Sequence, residues 1–471
     1  MGNRRKTLRP GKRAWSLFFG LILSYRQAQI FKLFINPPID LHTTEVNAHF
    51  SSMVKWFILL FVLLSSFLQA QSEDFRYDNF VYMPHIKSVK LHHVGLPTSD
   101  PIIDLNSSGQ LLLTFDDILG GDFTYNYKLI HCDKDWNRTD MDELEYVDGF
   151  NDEDIDRWFY SNTAISDYTR YELLIPNENV DPIISGNYIL LVYEDDTDLP
   201  VLTRRLMVVE NLVTVNPLVR RSISALQLST HHQLEFTINN EDFRIQNPQR
   251  DLFVSILQNG RWDNAITNKQ PIFSTNNDIT FSPSDYLLFP ASREFRFADV
   301  RSLQSPGFGV HSIDKHPDRI DVLLQLDGPR NERSSFDYRD INGKFVIENA
   351  DDSNDFLTSE YVDVHFTLRD LNPDLTKDVY VVGGFSDWHC LGENKLTYNT
   401  KHQSYLGSIL LKQGFYDFQY ATRDQDGKID YEVYEGNSFE TINDYIFLVY
   451  YRPFGARFDR IIGATVEESA F

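Results

Sequence analysis

The chain is poor in cysteine: Cys132 and Cys390 are the only two in 471 residues. That excludes a disulfide framework, whatever the redox state of the compartment, and each is read as a small buried apolar residue. Basic residues are also scarce, 44 against 68 acidic ones. A surface with this balance repels phosphate backbones, which excludes nucleic acid as a partner, and it disfavours docking on anionic lipid. No apolar run approaches the ~20 residues that a membrane-spanning helix needs, so direct membrane insertion is not expected. Catalytic signatures are missing too. There is no Gly-x-Ser-x-Gly elbow, no His-Glu-x-x-His helix, no phosphate loop and no dinucleotide fingerprint. His92-His93 and His231-His232 are adjacent pairs, and neighbours on a strand point to opposite faces, which suits no shared metal ion. Asp424-Gln-Asp-Gly-Lys-Ile-Asp430 has part of a calcium-loop spacing. Thr422 and Val433, however, stand where the first acid and the bidentate Glu would be, so a hairpin turn is the better reading. Asp116-Asp117 and the Asp152–Asp156 cluster contain carboxylates, but glycoside chemistry depends on a spatial separation that sequence does not specify, and acids in so acidic a chain usually form a solvated face. The expectation is a protein that is not an enzyme and uses no cofactor and no metal.

An export signal is present, although it lies inside the sequence. Met53-Val-Lys leads into an unbroken apolar run, Trp56 to Leu64, then Ser65-Ser-Phe-Leu-Gln-Ala70. A short basic start, an apolar stretch and a small residue before a polar region make a secretory signal peptide over 53–70, cut after Ala70. No Cys follows to carry a lipid anchor. Met53 is therefore expected to be the true start, with 1–52 an upstream mis-start outside the fold. Removing residues 1–70 takes nine basic and two acidic residues from the totals, leaving 71–471 with a net charge of −31. A soluble product of the periplasm is the reading that follows.

The mature chain reads as β. Aromatic residues make up 14% of the sequence, and short runs rich in Val, Ile, Tyr, Phe and Thr recur between turn residues, as in Gln110–Phe115, Phe123–His131, Tyr188–Tyr193 and Tyr445–Tyr451. No amphipathic run of helical period exceeds about three turns. An all-β chain of tandem Ig-like β-sandwich domains is expected. The proposed units are 71–211, 212–355 and 356–471, with the acidic stretch Glu348 to Asp355 as the last linker. Within the first unit, 133–170 is an irregular insert carrying Trp136, Phe150 and Trp158 among many acids. Long loops are often functional, and aromatic anchors are typical of interfaces, so these three are candidate partner-binding residues; a lid packed on the sandwich is the alternative.

Several segments resemble one known family. Tyr125-x-Tyr127-x-x-Ile130-His131-Cys132-Asp133-x-Asp135-Trp136 and Glu145-Tyr146-x-x-Gly149-Phe150 look like the N-terminal signature of the type IX secretion system plug proteins. Ser185-Gly186-Asn187-Tyr188, Glu294-Phe-Arg-Phe-Ala-Asp-Val-Arg301, Asp340-Ile-Asn-Gly-Lys-Phe345, Leu411-Lys-Gln-Gly-Phe-Tyr416, Glu435-Gly-Asn437, Tyr450-Tyr-Arg-Pro453 and Arg457-Phe-Asp-Arg460 continue the match in order; Ser292-Arg293 replaces the family's usual Gly-Asn. The resemblance implies a periplasmic protein that binds the large outer-membrane β-barrel translocon and covers its periplasmic opening while no substrate passes. A second, local resemblance joins Val379-Tyr-Val-Val-Gly-Gly-Phe-Ser-Asp-Trp388 to starch-binding-type early-set modules. It implies an alternative function as a glycan-binding envelope protein, with Trp388 as the sugar-stacking residue.

Overall fold

A computed structural model describes residues 75–470, except 196, 276, 282–286, 332–337 and 353–355. The signal-peptide reading and the reading of 1–52 as a mis-start fall outside the described residues. The fold is all-β, with 49% of the described residues in strands and 4% in helix, arranged as tandem β-sandwiches.

The first sandwich faces two sheets across one core. One sheet runs in the order Phe80–Val81, Pro200–Val209, Gly186–Glu194, Tyr125–Cys132, Glu153–Asp154; the other runs Ile86–His93, Leu111–Asp117, Thr169–Ile175, Arg157–Tyr160. Side chains alternate across a strand, so Tyr125, Tyr127 and Leu129 point to the same core as Tyr188, Leu190 and Val192. Leu111, Leu113 and Phe115 close that core from the opposite sheet.

The alternate residues of the first sheet are just as buried. Ile130, Cys132, Ile189, Leu191, Tyr193, Met207 and Val209 pack against Leu257, Ile446, Leu448, Tyr450 and Ile461 of the middle sandwich. This explains two sequence runs without polar alternation, Tyr188-Ile-Leu-Leu-Val-Tyr193 and Tyr445-Ile-Phe-Leu-Val-Tyr-Tyr451. A strand buried on both faces has no reason to alternate. The middle sandwich adds its own core on the far side, from Val215, Leu234, Phe236, Val254, Ile256, Phe281, Tyr445 and Phe447. Four sheets and three apolar layers thus form one stack.

Strand pairing cuts across the expected boundary at 355/356. Asp444–Tyr451 pairs along Leu252–Gln258, and Arg460–Glu468 pairs with Asp444–Tyr451, so the last hairpin belongs to the middle sandwich. Conversely, Arg296–Asp299 and Phe345–Ile347 pair with Gly414–Arg423, and Ile320–Leu324 pairs with Tyr361–Arg369. The third sandwich is an insertion between strands of the middle one. The acidic stretch read as a linker lies between two strands of the third sandwich, Phe345–Ile347 and Tyr361–Arg369. Composition reports where a chain is exposed; it does not report which distant strand a segment pairs with.

The 133–170 insert is likewise not a lid. Glu153–Asp154 is the edge strand of one sheet of the first sandwich and Arg157–Tyr160 is the edge of the other. Between them Ile155 drops into the core, 4% exposed. The segment closes one long side of the sandwich.

Candidate partner-binding surface

The residues proposed from sequence separate into buried and exposed sets. Trp136 is 6% exposed. Its ring meets Trp262 edge-on at 5.0 Å, and the Arg205 guanidinium lies over it at 4.3 Å. It seals the junction of the first and middle sandwiches and presents nothing to a partner, which corrects the expectation for that residue. Phe150 is 76% exposed and Trp158 is 39% exposed.

Trp158 belongs to the edge strand Arg157–Tyr160, all four residues of which are exposed. The strand pairs on one side, Trp158 opposite Tyr171 and Tyr160 opposite Thr169. Among the described residues no strand pairs with its outer side. Trp158 and Tyr160, two residues apart on one face, meet edge-on at 5.0 Å. An uncovered edge with aromatic side chains is a template for a further strand, and soluble proteins ordinarily blunt such edges. Sequence reasoning found Trp158 by its aromaticity and missed Phe159 and Tyr160. Only the sheet order shows that the whole strand is an edge.

Trp388 sits elsewhere, in a cleft of about 410 Å³ where all three sandwiches meet. Arg261 covers its ring at 3.8 Å, and Phe295 lies at 5.6 Å. A Cβ on Gly343 would stand 2.5 Å from its Cη2, so the indole presses on bare backbone. Trp388 has a left-handed φ of 63°, directly after Asp387 at 49°, an unusual pair for non-glycine residues that tight packing holds in place. This indole is a joint between units, with Arg261 occupying the face on which a sugar ring would stack. The cleft's other cations are also engaged: Arg204 with Asp387 at 3.1 Å, Arg261 with Asp263 at 2.6 Å and Lys344 with Asp100 at 2.9 Å. Burial, reinforced by the charge of Lys344, depresses the Lys90 ammonium to about 7; it donates to the carbonyl of Phe345.

The remaining chemical candidates resolve into local structure. The Asp424 carboxylate accepts the N–H groups of Asp426 at 3.0 Å and Lys428 at 2.8 Å, an Asx-type turn at a hairpin tip. Asp116 lies in the interface between the first and third sandwiches, where Lys412 and Tyr361 donate to it at 2.6 and 2.7 Å. His92 Nδ1 bonds the carbonyl of His93, and His232 bridges Tyr445 and the carbonyl of Phe439. Among the described residues no three His, Cys, Asp or Glu side chains are grouped as metal ligands.

The motif residues, by contrast, converge on the joints. Gly186 has φ 150°, and a Cβ there would lie 2.5 Å from His131 Nε2. Asn187 donates to the carbonyl of Asp133 at 3.0 Å and accepts from the Tyr450 hydroxyl at 2.9 Å. Asp459 accepts the N–H of Lys134 at 3.0 Å, and Arg457 pairs with Glu145 at 2.6 Å. In the third sandwich Arg296 is held by Glu435 at 2.9 Å and Asp327 at 2.6 Å, while Asn437 accepts the N–H of Ser292 at 2.7 Å.

The model of the "Type 9 secretion system plug protein 1st domain" matches residues 86–210, the sandwich that holds these N-terminal motifs. The chain belongs to the type IX secretion system plug protein family. Among solved structures, a crystal structure of a hypothetical protein from Parabacteroides merdae is 32% identical with a TM-score of 0.80, covering 84% of this chain and 100% of that one. The C-terminal domain of the antigen I/II-family protein AspA of Streptococcus pyogenes aligns over 81% of this chain and 98% of its own at 6% identity, with a TM-score of 0.16. No curated protein matches the chain. No helix among the described residues is long and apolar enough to cross a membrane.

Proposed function

We propose that this plug-family protein works without chemistry: from the periplasmic side it binds the outer-membrane β-barrel translocon of type IX secretion and blocks its opening when no substrate is passing. One observation carries this reading. The first and middle sandwiches share a buried apolar layer, so the body that would sit against the barrel is a single thick block instead of beads on linkers. Steric closure needs a wide body of fixed shape, and a rigid body loses little conformational entropy on docking. The open edge Arg157–Tyr160, together with Phe150, supplies the contact, consistent with the enrichment of Trp and Tyr among interface anchors. Affinity capture from detergent-solubilised outer membranes tests the proposal. Co-purification of a large barrel protein is the expected result, and capture of none would defeat it. The glycan-binding alternative gains no support from Trp388, whose ring is covered by Arg261.

A further inference from the structure

One surface segment breaks the acidic character of the molecule. From Asn211 to Leu234 there is no Asp or Glu for 24 consecutive residues, in a mature chain where acids number 66 of 401. The segment comprises the strand Thr214–Arg221 at the edge of a middle-sandwich sheet and the turns that follow it. Val213, Val215 and Leu234, near its two ends, are buried in the core, but four apolar side chains between them point outward: Leu226 is 94% exposed and Ile223 72%, with Leu218 and Leu228 also exposed. The tip is nonetheless built. Thr230 accepts the N–H of Ala291 at 2.9 Å and Ser229 that of Phe439 at 3.0 Å. Arg221 lies over the Phe439 ring at 3.9 Å and donates to the carbonyl of Leu228 at 2.5 Å. Arg220 is neutralised by Glu235 beneath it.

We infer that this tip is a membrane contact: Leu218, Ile223, Leu226 and Leu228 enter the interfacial region of a phospholipid leaflet, while Arg221 stays at headgroup level. Three features favour lipid over protein as the occupant. The projecting residues are aliphatic and flanked by Ser and Thr, residue types under-represented in protein hot spots, which favour Trp, Tyr and Arg. The tip has a backbone-anchored base, so burying its leucines costs little ordering. And the segment itself contributes no carboxylate to oppose phosphate headgroups, the adjoining Glu235 being paired with Arg220, although the rest of the surface repels an anionic bilayer. The lipid expected is therefore zwitterionic, with the apolar contact supplying the affinity. The inference does not require the translocon reading, since it concerns lipid alone, although a protein seated under a membrane barrel would have a leaflet within reach.

The test is co-sedimentation of the mature protein with phosphatidylethanolamine–phosphatidylcholine vesicles. The parent should pellet with vesicles and not without them, and raising the salt should leave the bound fraction unchanged, because the contact is apolar. The double variant Ile223→Asp/Leu226→Asp should lose binding by about tenfold or more with an unchanged circular-dichroism spectrum. Leu371→Asp/Leu375→Asp, which adds the same two charges at other exposed leucines, should bind as the parent does. A parent that stays in the supernatant, or a double variant that pellets like the parent, overturns the inference. If the double variant instead loses capture of a barrel protein while no form of the chain binds vesicles, the tip is a protein contact and the lipid assignment is wrong.

Discussion

The joint between the first and third sandwiches rests on a charge pair with no exposure at all, and Lys412→Met tests it. Lys412 Nζ lies 2.6 Å from Asp116 Oδ2, both side chains at 0% exposure. Tyr361 donates to the same oxygen at 2.7 Å, and the Tyr168 ring lies 3.8 Å from the ammonium. Removing one member of a buried pair leaves the other charge uncompensated, at a cost of about 3–5 kcal/mol. The Arg170 guanidinium, 3.9 Å from Asp116 Oδ1, remains to offset part of that charge, so the lower end applies, about 3 kcal/mol. The double variant Asp116→Asn/Lys412→Met removes both charges and keeps an acceptor for Tyr361, and most of the loss should return, leaving about 1 kcal/mol. Urea unfolding gives the totals, and amide exchange along Tyr361–Arg369 shows whether the joint opens first. A loss below about 1 kcal/mol in the single variant, or a double variant no better than the single, would refute the reasoning. The pH dependence adds a second check. Burial lowers Lys412 to about 8, partly opposed by Asp116. A lysine depressed in the folded state penalises folding below that value, and the penalty is relieved as pH rises from about 8 towards its unfolded value of 10.5. Lys412→Met should abolish that rise.

Three further outcomes are expected. Trp158→Ala should weaken capture of the barrel about tenfold with little change in melting temperature, whereas Trp136→Ala should cost about 3 kcal/mol by opening a cavity between sandwiches; the two effects exchanged would invert the assignment of surface and joint. Gly186→Ala should destabilise by about 2 kcal/mol or more in thermal melts, since its φ is positive and its Cβ would strike His131. Asp417 is raised to about 8 by burial first and by the charge of Asp340 second. A carboxyl held above its unfolded value of 3.8 stabilises the fold at low pH and loses that contribution as pH rises through the interval up to about 8, so Asp417→Asn should be more stable than the parent at pH ~9 and show a flatter profile across the interval.

Much of the architecture was legible because burial leaves a local trace. The non-alternating runs at 188–193 and 445–451 announce strands with two apolar faces, and the aromatic content accounts for the cores they enter. What escaped was pairing at long range. Nothing near Tyr445 states that it continues the sheet of Gln258, and the true crossings into and out of the third sandwich, around 291–295 and 436–443, lack the composition of a linker. The same limit applied to the surface. Trp136, Phe150 and Trp158 are alike as aromatic residues in one acidic segment, yet one is wedged against Trp262 and two face solvent. That difference is decided by a residue 126 positions away. The mirror case is the 211–234 tip: its lack of acids is visible in sequence, but only the structure shows that Leu218, Leu226 and Leu228 face outward beside a sheet edge.

The location of the motif residues bears on how such a protein would close a pore. His131, Asp133, Gly186, Asn187, Tyr450 and Asp459 are drawn from three distant stretches and meet at one joint, while Arg296, Glu435 and Asn437 tie a second region. A binding site needs particular residues at a surface; these lie between bodies, and their hydrogen bonds fix angles. Under the proposed function, then, attachment and occlusion are separable. Tyr450→Phe deletes the bond to Asn187 inside an apolar layer, at about 1–2 kcal/mol, without touching the exposed edge. Capture of the barrel should persist in that variant, because Phe150 and Trp158 are unchanged. Closure of the pore, read as entry of a normally excluded antibiotic into cells, should weaken, because a block that flexes about its joint no longer keeps one shape against the opening. Loss of both activities together, with the fold intact, would mean that the joint itself is the contact surface and that rigidity is not what the shared layer provides.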